Sequence, residues 1–342
     1  MNPWRATCIQ MKSRRAVPAA DRSSAWSIIE DNLRRGIGLI EAACASDDPP
    51  KLVVVPEFAF SGPPQGGLVQ AWIEKACCAI PGPITAPLQA LAGKLSIYIA
   101  GNQFESDPLW PGRYFNSCFL IDPQGEVILR FRRINTAAFP SPHDFMDAYL
   151  AHYGAEKTFP VVETELGRLA MIACGEIAVP EVARVLMMRG AEVILHPTNE
   201  PKSPSQEAAK VARAAENMVY VVSANVAGGI GFSADGSELG GRSQIIDFRG
   251  DTLAFDAGTG ESTSVSAVID MEALRDARRD LGMSNTLLRT RWEMYREFYQ
   301  GIAVYPPNHF LDQPMRESAL PMAPAEAALA NLMRVGVVVP RG

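Results

Sequence analysis

The chain has 342 residues, room for one large domain or two ordinary ones, and its 47% hydrophobic and 20% charged residues suit a globular protein with a sizeable core. Thirty-two basic residues against 38 acidic ones leave a formal charge of −6, which argues against a nucleic-acid or anionic-membrane surface, since those partners select clustered Lys and Arg. No window approaches the roughly 20 apolar residues of a membrane span, and the first fifteen residues lack the apolar run of a secretory leader, so a cytoplasmic location is expected.

Short apolar runs followed by helical stretches recur along the chain, the signature of an α/β fold. ATCIQM (6–11) reads as the first strand. Ile29, Leu33, Ile37, Ile40 and Cys44 then recur at steps of three and four, which predicts one apolar helix face between Trp26 and Ala45. KLVVV (51–55) is a buried strand stopped by Pro56. Ile84 to Lys94 reads as a helix and LSIYIAG (95–101) as the strand behind it. YFNSCFLID and GEVILRFRR flank a turn at Asp122-Pro123-Gln124-Gly125. RLAMIAC is a strand, and Pro180 to Met188 a helix with Pro early and Gly190 after its end. AEVILH, a helix from Ser203 to Met218, VYVVSAN, a hairpin around Arg249-Gly250-Asp251, SVSAVIDM and a helix from Glu272 to Asp280 complete the alternation. Beyond Met283, prolines 306, 307, 314, 321 and 324 break the chain into a tail without a core of its own.

Three apolar strands end in a reactive or charged residue. KLVVVP delivers Glu57, GEVILRF delivers Arg132 and Arg133, and RLAMIA delivers Cys174. Ligands of open α/β sheets bind at the carboxyl ends of strands, so these residues are expected to converge. A thiol at a strand-to-helix turn, before Gly175, meets backbone N–H groups that favour thiolate. Thiolate, carboxylate and cation together suit acyl chemistry: sulfur attacks, the carboxylate moves protons, and the cation with the Gly175 N–H holds the oxyanion. Taken singly, each signal has an ordinary meaning, such as a buried small hydrophobe for Cys174 or a solvated strand end for Glu57. The six cysteines have no framework spacing and predict reduced thiols, and the four histidines are dispersed. Neither a metal nor a cofactor is expected.

The order of the blocks adds to this. CIQM, LVVVPEFAFSG, YFNSCFLIDPQGEVILRFRRIN, GRLAMIACGEIAVPEVARVLMMRGAEVILHPT, ARAAENMVYVVSAN and GGRSQIIDFRGDTLAF together resemble the nitrilase superfamily of carbon–nitrogen hydrolases over about residues 5 to 300. The resemblance implies a four-layer αββα sandwich over residues 1–300. It also implies a tail at 301–342 that packs on a neighbouring subunit of a homo-oligomer. The family's catalytic set is Glu, Lys and Cys: base, stabiliser of the tetrahedral intermediate, and covalent nucleophile. By position the base is Glu57 and the nucleophile Cys174, while Arg133 stands where Lys belongs. Of the seven lysines none follows this strand; Lys157 lies nearest before Cys174. Asp144 is the candidate for a second acid that many members carry in the loop after the Lys strand. Glu176, His196 and Asn199 are candidate supporting or substrate-binding residues, with helix-terminal charge and core packing as their ordinary alternatives. Arg213 and Glu216, three apart on one helix, read as a structural ion pair.

Arg for Lys keeps a cation but removes a group able to release its proton, and an Arg forked onto Glu57 would lower that base's pKa. The substitution therefore permits an adapted enzyme or a silenced one. The leading expectation is thiol-dependent hydrolysis of a small-molecule amide or N-carbamoyl compound. Nitrile hydrolysis, acyl transfer and a catalytically silent binding or scaffold protein are the alternatives.

Overall fold

The computed structural model describes residues 2–64, 66–136, 138–231, 237–301 and 303–339. Its strands are β1 (Trp4–Cys8), β2 (Leu52–Val54), β3 (Tyr98–Ser106), β4 (Tyr114–Ile121), β5 (Val127–Arg132), β6 (Val162–Thr164), β7 (Gly167–Met171), β8 (Val193–Thr198), β9 (Tyr220–Asn225), β10 (Gln244–Ile246), β11 (Thr252–Phe255) and β12 (Ser266–Ile269). They form two six-stranded sheets, ordered β12-β1-β2-β3-β4-β5 and β11-β10-β9-β8-β7-β6. Within them β1, β2 and β3 run parallel, as do β7, β8 and β9.

Side-chain alternation explains the layers. Leu52 and Val54 of β2 and Tyr98 and Ala100 of β3 pack toward Leu169, Met171, Leu195 and Val222 of the other sheet. Their neighbours Val53 and Ile99 point the opposite way, onto Ile29, Leu33 and Ile40 of α1 (Arg22–Cys44) and Leu88 and Leu91 of a later helix, Thr85–Leu95. Strands buried on both faces need near-continuous apolar runs, which is why KLVVV reads as it does. The second sheet is covered in turn by α5 (Pro180–Met188) and α6 (Pro204–Asn217), through Val182, Leu186, Ala209 and Ala214. The result is the expected αββα sandwich. Among the described residues no helix is long and apolar enough to cross a membrane.

Several elements differ from the sequence expectations. The first strand ends at Cys8 rather than Met11, because Ile9 N–H donates to Val54 O and Gln10 bridges to Ser262. Ser96 adopts a left-handed conformation that ends the helix Thr85–Leu95, so the strand behind it starts at Tyr98. A short helix, α2 (Val69–Ala76), precedes that helix, which is α3. The middle loop holds a 3-10 turn at Pro142–Phe145 and α4 (Met146–Thr158), kinked at Gly154 with φ +71°. After α7 (Met271–Arg279), the short α8 (Arg296–Gln300) and α9 (Met322–Arg334) lie in the C-terminal part. Part of the segment expected to reach a neighbour docks on its own chain. Asn308 N–H donates to His143 O, Phe310 N–H to Asp144 O, and Arg113 Nη2 to the carbonyls of Phe310 and Leu311, while Ser318 pairs with the Tyr114 hydroxyl.

Candidate active site

Glu57, Arg133 and Cys174 meet where β2, β5 and β7 give out. Within the first sheet β5, antiparallel to β4 as β4 is to β3, runs in the same direction as β2, so both carboxyl ends lie at one edge. Arg133 Nη1 lies 3.3 Å from Glu57 Oε1, and Asn116 Nδ2 donates to the same oxygen at 2.6 Å. Asn116 is held in turn by the Asn102 side chain at 2.6 Å. Glu57 itself is fully buried, its N–H donating to Thr198 O at 3.3 Å. Burial pushes its carboxyl pKa up; Arg133, Asn116 and the nearby Cys174 thiol pull against that rise.

Cys174 opens a 3-10 turn, Cys174–Ala178, with φ +44°. A left-handed conformation at a residue with a Cβ costs about 1–2 kcal/mol and is typically kept where function demands it. The turn is held from behind. His196 Nε2 bonds the Cys174 carbonyl at 2.9 Å while its Nδ1 bonds Ser223 Oγ at 2.8 Å. Arg213 donates to the carbonyls of Ile177 and Ala178 and pairs with Glu216 at 2.9 Å. The thiol points at Asn199 O, 3.8 Å away. Burial, reinforced by the Glu57 charge, raises the Cys174 pKa, with Arg133 opposing. The resting group is therefore a thiol and not the thiolate expected from the turn alone, because desolvation outweighs the backbone dipoles. Burial pushes His196 down to about 3, so it stands neutral as a support.

Arg133 does not fork onto Glu57. Its Nε donates to Asn135 O at 3.1 Å, one nitrogen reaches Glu57, and Nη2 makes no hydrogen bond among the described residues. Nη2 lies 3.2 Å from the place a Cβ would take on residue 175, so glycine there leaves room for the guanidinium. Burial works against the Arg133 charge, but Glu57, Cys174 and Glu176 more than offset it. Glu176 Oε1 accepts from the N–H groups of Ile134 and Asn135 and from Asn135 Nδ2, fixing the chain just after Arg133. Arg132 points elsewhere, onto Glu105 and Asp107.

Not every candidate reaches this point. Asp144 caps the Pro142–Phe145 turn by accepting the Ser141 N–H at 2.9 Å and makes no contact with Glu57, Arg133 or Cys174 among the described residues. It lines a cavity of about 700 Å³ that shares Ile134 and Asn135 with the Glu176 cradle. Lys157 is exposed on α4, so it supplies no cation here. Sequence reasoning passed over Asn116, Ser223, Glu200 and Lys210. The available signals were a polar residue inside an apolar strand for Asn116 and a lysine one turn from Arg213 on the buried face of α6 for Lys210. Among the described residues no cluster of His, Cys, Asp and Glu is arranged to hold a metal ion.

The carbon–nitrogen hydrolase family model matches residues 5–279. The omega-amidase NIT2 of Danio rerio is 27% identical over 254 residues, 73% of this chain and 87% of its own length. A formamidase of Bacillus thuringiensis is 27% identical over 263 residues, 76% of this chain and 74% of its own. Among solved structures, an amidase from Nesterenkonia sp. AN1 with acrylamide added to its active-site cysteine superposes with a TM-score of 0.59 over 86% of this chain and 99% of that one, at 20% identity, a likeness of fold. The matched span runs from β1 to the last residue of α7 and takes in Glu57, Arg133 and Cys174 together, so this chain belongs to the carbon–nitrogen hydrolase family and is a hydrolase of carbon–nitrogen bonds.

Proposed function

We propose that the chain hydrolyses a small amide through a thioester on Cys174, with Glu57 as general base and Arg133 as oxyanion donor. The observation that carries this reading is the contact of Glu57 with Arg133 directly beside the Cys174 thiol. The thiol sulfur attacks the amide carbon as Glu57 takes its proton. Charge moves from carboxylate to oxyanion, toward Arg133 Nη2 and the Gly175 N–H. Collapse breaks the carbon–nitrogen bond, and the proton on Glu57 leaves with the amine or ammonia. Water then attacks the thioester with Glu57 again as base, releasing the acid and restoring the thiol.

An amide suits the site better than a nitrile. Glu57 Oε2 and Asn199 Oδ1 are buried acceptors with no partner among the described residues, and an amide nitrogen brings two donors where a nitrile brings none. The formamidase, omega-amidase and amidase relatives point the same way. Arg133 in contact with the base favours an adapted enzyme over a silenced one.

Cys174→Ala should abolish turnover of short aliphatic amides and leave the thermal midpoint nearly unchanged. Peptide mass analysis of the wild-type chain exposed to iodoacetamide should show labelling at Cys174, the thiol whose proton Glu57 can take, ahead of the other buried cysteines. Full activity in the alanine variant would sink the proposal.

A further inference from the structure

Cys174 has two cation–carboxylate pairs beside it, and the mechanism above uses only one. The second is Lys210 with Glu200. Lys210, on α6, is 1% exposed and makes a short contact with Glu200 Oε1. Thr198 Oγ1 donates to Glu200 Oε2 at 3.0 Å. Lysine is rarely this buried without a purpose for its charge.

The segment that carries Glu200 touches both reacting groups. Thr198 O accepts the Glu57 N–H, and Asn199 O faces the Cys174 thiol. Glu200 N–H donates to Asn225 Oδ1 at 3.0 Å, and Asn225 Nδ2 returns to Glu200 O at 2.9 Å. Three consecutive residues thus contact the base, the nucleophile and the buried lysine. The backbone of this segment is pinned by Asn225 without help from Lys210. What Lys210 adds is charge.

Three buried carboxylates, Glu57, Glu176 and Glu200, surround a thiol that must become an anion. Glu176 spends its charge on the Ile134 and Asn135 N–H groups and Glu57 on Arg133 and Asn116. Glu200 raises the pKa of both Cys174 and Glu57, and among the described residues Lys210 is the only cation in contact with it.

We infer that Lys210 is a positioning residue for the thiol chemistry proposed above: it cancels the Glu200 charge, which lies one residue beyond the Asn199 carbonyl facing the sulfur and would otherwise oppose a thiolate on Cys174. The inference rests on that reading. The competing role is a staple between α6 and β8 with no influence on the sulfur.

The test is the rate of Cys174 carbamidomethylation by iodoacetamide at neutral pH, followed by peptide mass on the full chain. Lys210→Met should label about tenfold more slowly, the factor that one pKa unit of the thiol represents. Glu200→Gln combined with Lys210→Met should return the rate to within about threefold of wild type, since coupled charges are strongly non-additive. Glu200→Gln alone, which leaves the Lys210 charge unopposed, should label faster than wild type, and this arm decides the matter if Lys210→Met fails to fold. A natively folded Lys210→Met labelled at the wild-type rate would overturn the inference. So would a double variant as slow as the single, or a Glu200→Gln variant no faster than wild type. An inert Cys174 in the wild-type chain would remove the hydrolase reading and this inference with it; a reactive Cys174 indifferent to all three variants would remove the inference alone.

Discussion

Arg133 has to serve three partners with one guanidinium. Nε is committed to Asn135 O and Nη1 to Glu57, which leaves Nη2, beside Gly175, for the oxyanion of the proposed reaction. The single 3.3 Å contact tethers Glu57 without the bidentate grip that would drain its basicity, and burial keeps that carboxyl's pKa raised. Removing an oxyanion donor typically costs roughly 3–4 kcal/mol in the transition state. Arg133→Ala should therefore lower turnover of the native amide about a hundred- to a thousandfold, with a smaller effect on the thermal midpoint. Arg133→Lys separates adaptation from loss. One ammonium on a shorter stem cannot hold Asn135 O, Glu57 and an oxyanion together, so in an adapted enzyme activity falls. Appearance of amidase activity in Arg133→Lys, from none in the wild type, would mean that arginine had silenced the site. Steady-state kinetics on a panel of short amides distinguishes the outcomes.

At the scale of elements, the Pro142–Phe145 turn carries a titration of its own. Burial raises the Asp144 pKa to about 6, with the Ser141 N–H and the Arg113 charge opposing, whereas an unfolded Asp titrates near its ordinary value of about 4. The folded state thus binds this proton more tightly. Its stabilising contribution is fully present below about pH 4 and is lost as pH rises through 6. Asp144→Asn keeps an acceptor for the Ser141 N–H and carries no charge. Relative to the variant, wild type should lose on the order of 1–3 kcal/mol between pH 4 and pH 8, read from denaturant melts. An equal gap at both pH values would show that this carboxyl does not titrate as a buried group. Asp144 also illustrates what a sequence can say. The elements that deliver Glu57 and Cys174 were legible because an uninterrupted apolar run stops at each, and α5 because Pro180 and Gly190 bracket it. The loop holding Asp144 was not. Gly154 breaks α4 into two turns too short for a periodic face, and α2 follows the glycine- and proline-rich stretch from Gly62 to Gly67. The Glu57 partner Asn116 comes from 59 residues away, and Lys210 meets Glu200 across the gap between β8 and α6. Such pairings are made by the approach of whole elements, so no local pattern marks them.

For the whole molecule, the outer side of α5 carries a partly apolar groove. It has about 600 Å³, runs between α5 and the segment Trp292–Tyr299, and is walled by Pro180, Val185, Met188, Trp292 and Tyr295, with the charged Glu181, Arg184, Glu216 and Arg296 also lining it. Phe298 and Met294, in the same C-terminal segment, are 72% and 68% exposed, and Leu281 and Met283 are more exposed still. Large exposed apolar side chains in one short segment point to an interaction site, and burying a side chain the size of Phe298 is worth about 1.5–3 kcal/mol. We predict a homodimer at micromolar concentration with this face in the contact, seen as a dimer in sedimentation velocity; a wild-type monomer would contradict it. The tail's part in assembly is then narrower than its whole length. Residues 308–318 clip onto Arg113, His143 and Asp144 of their own chain, so cutting at 305 would strip those contacts as well. Ending the chain after Ala319 spares the clip and removes α9 with the residues on either side of it, including the exposed Leu320 and Leu329. Phe298→Glu should yield a monomer, since it puts a charge in place of the exposed ring that the contact would bury. The chain ending at Ala319 should stay dimeric but dissociate at higher concentration than wild type. If instead the shortened chain is fully monomeric and Phe298→Glu remains a dimer, α9 alone makes the contact, and the apolar groove on α5 has no part in it.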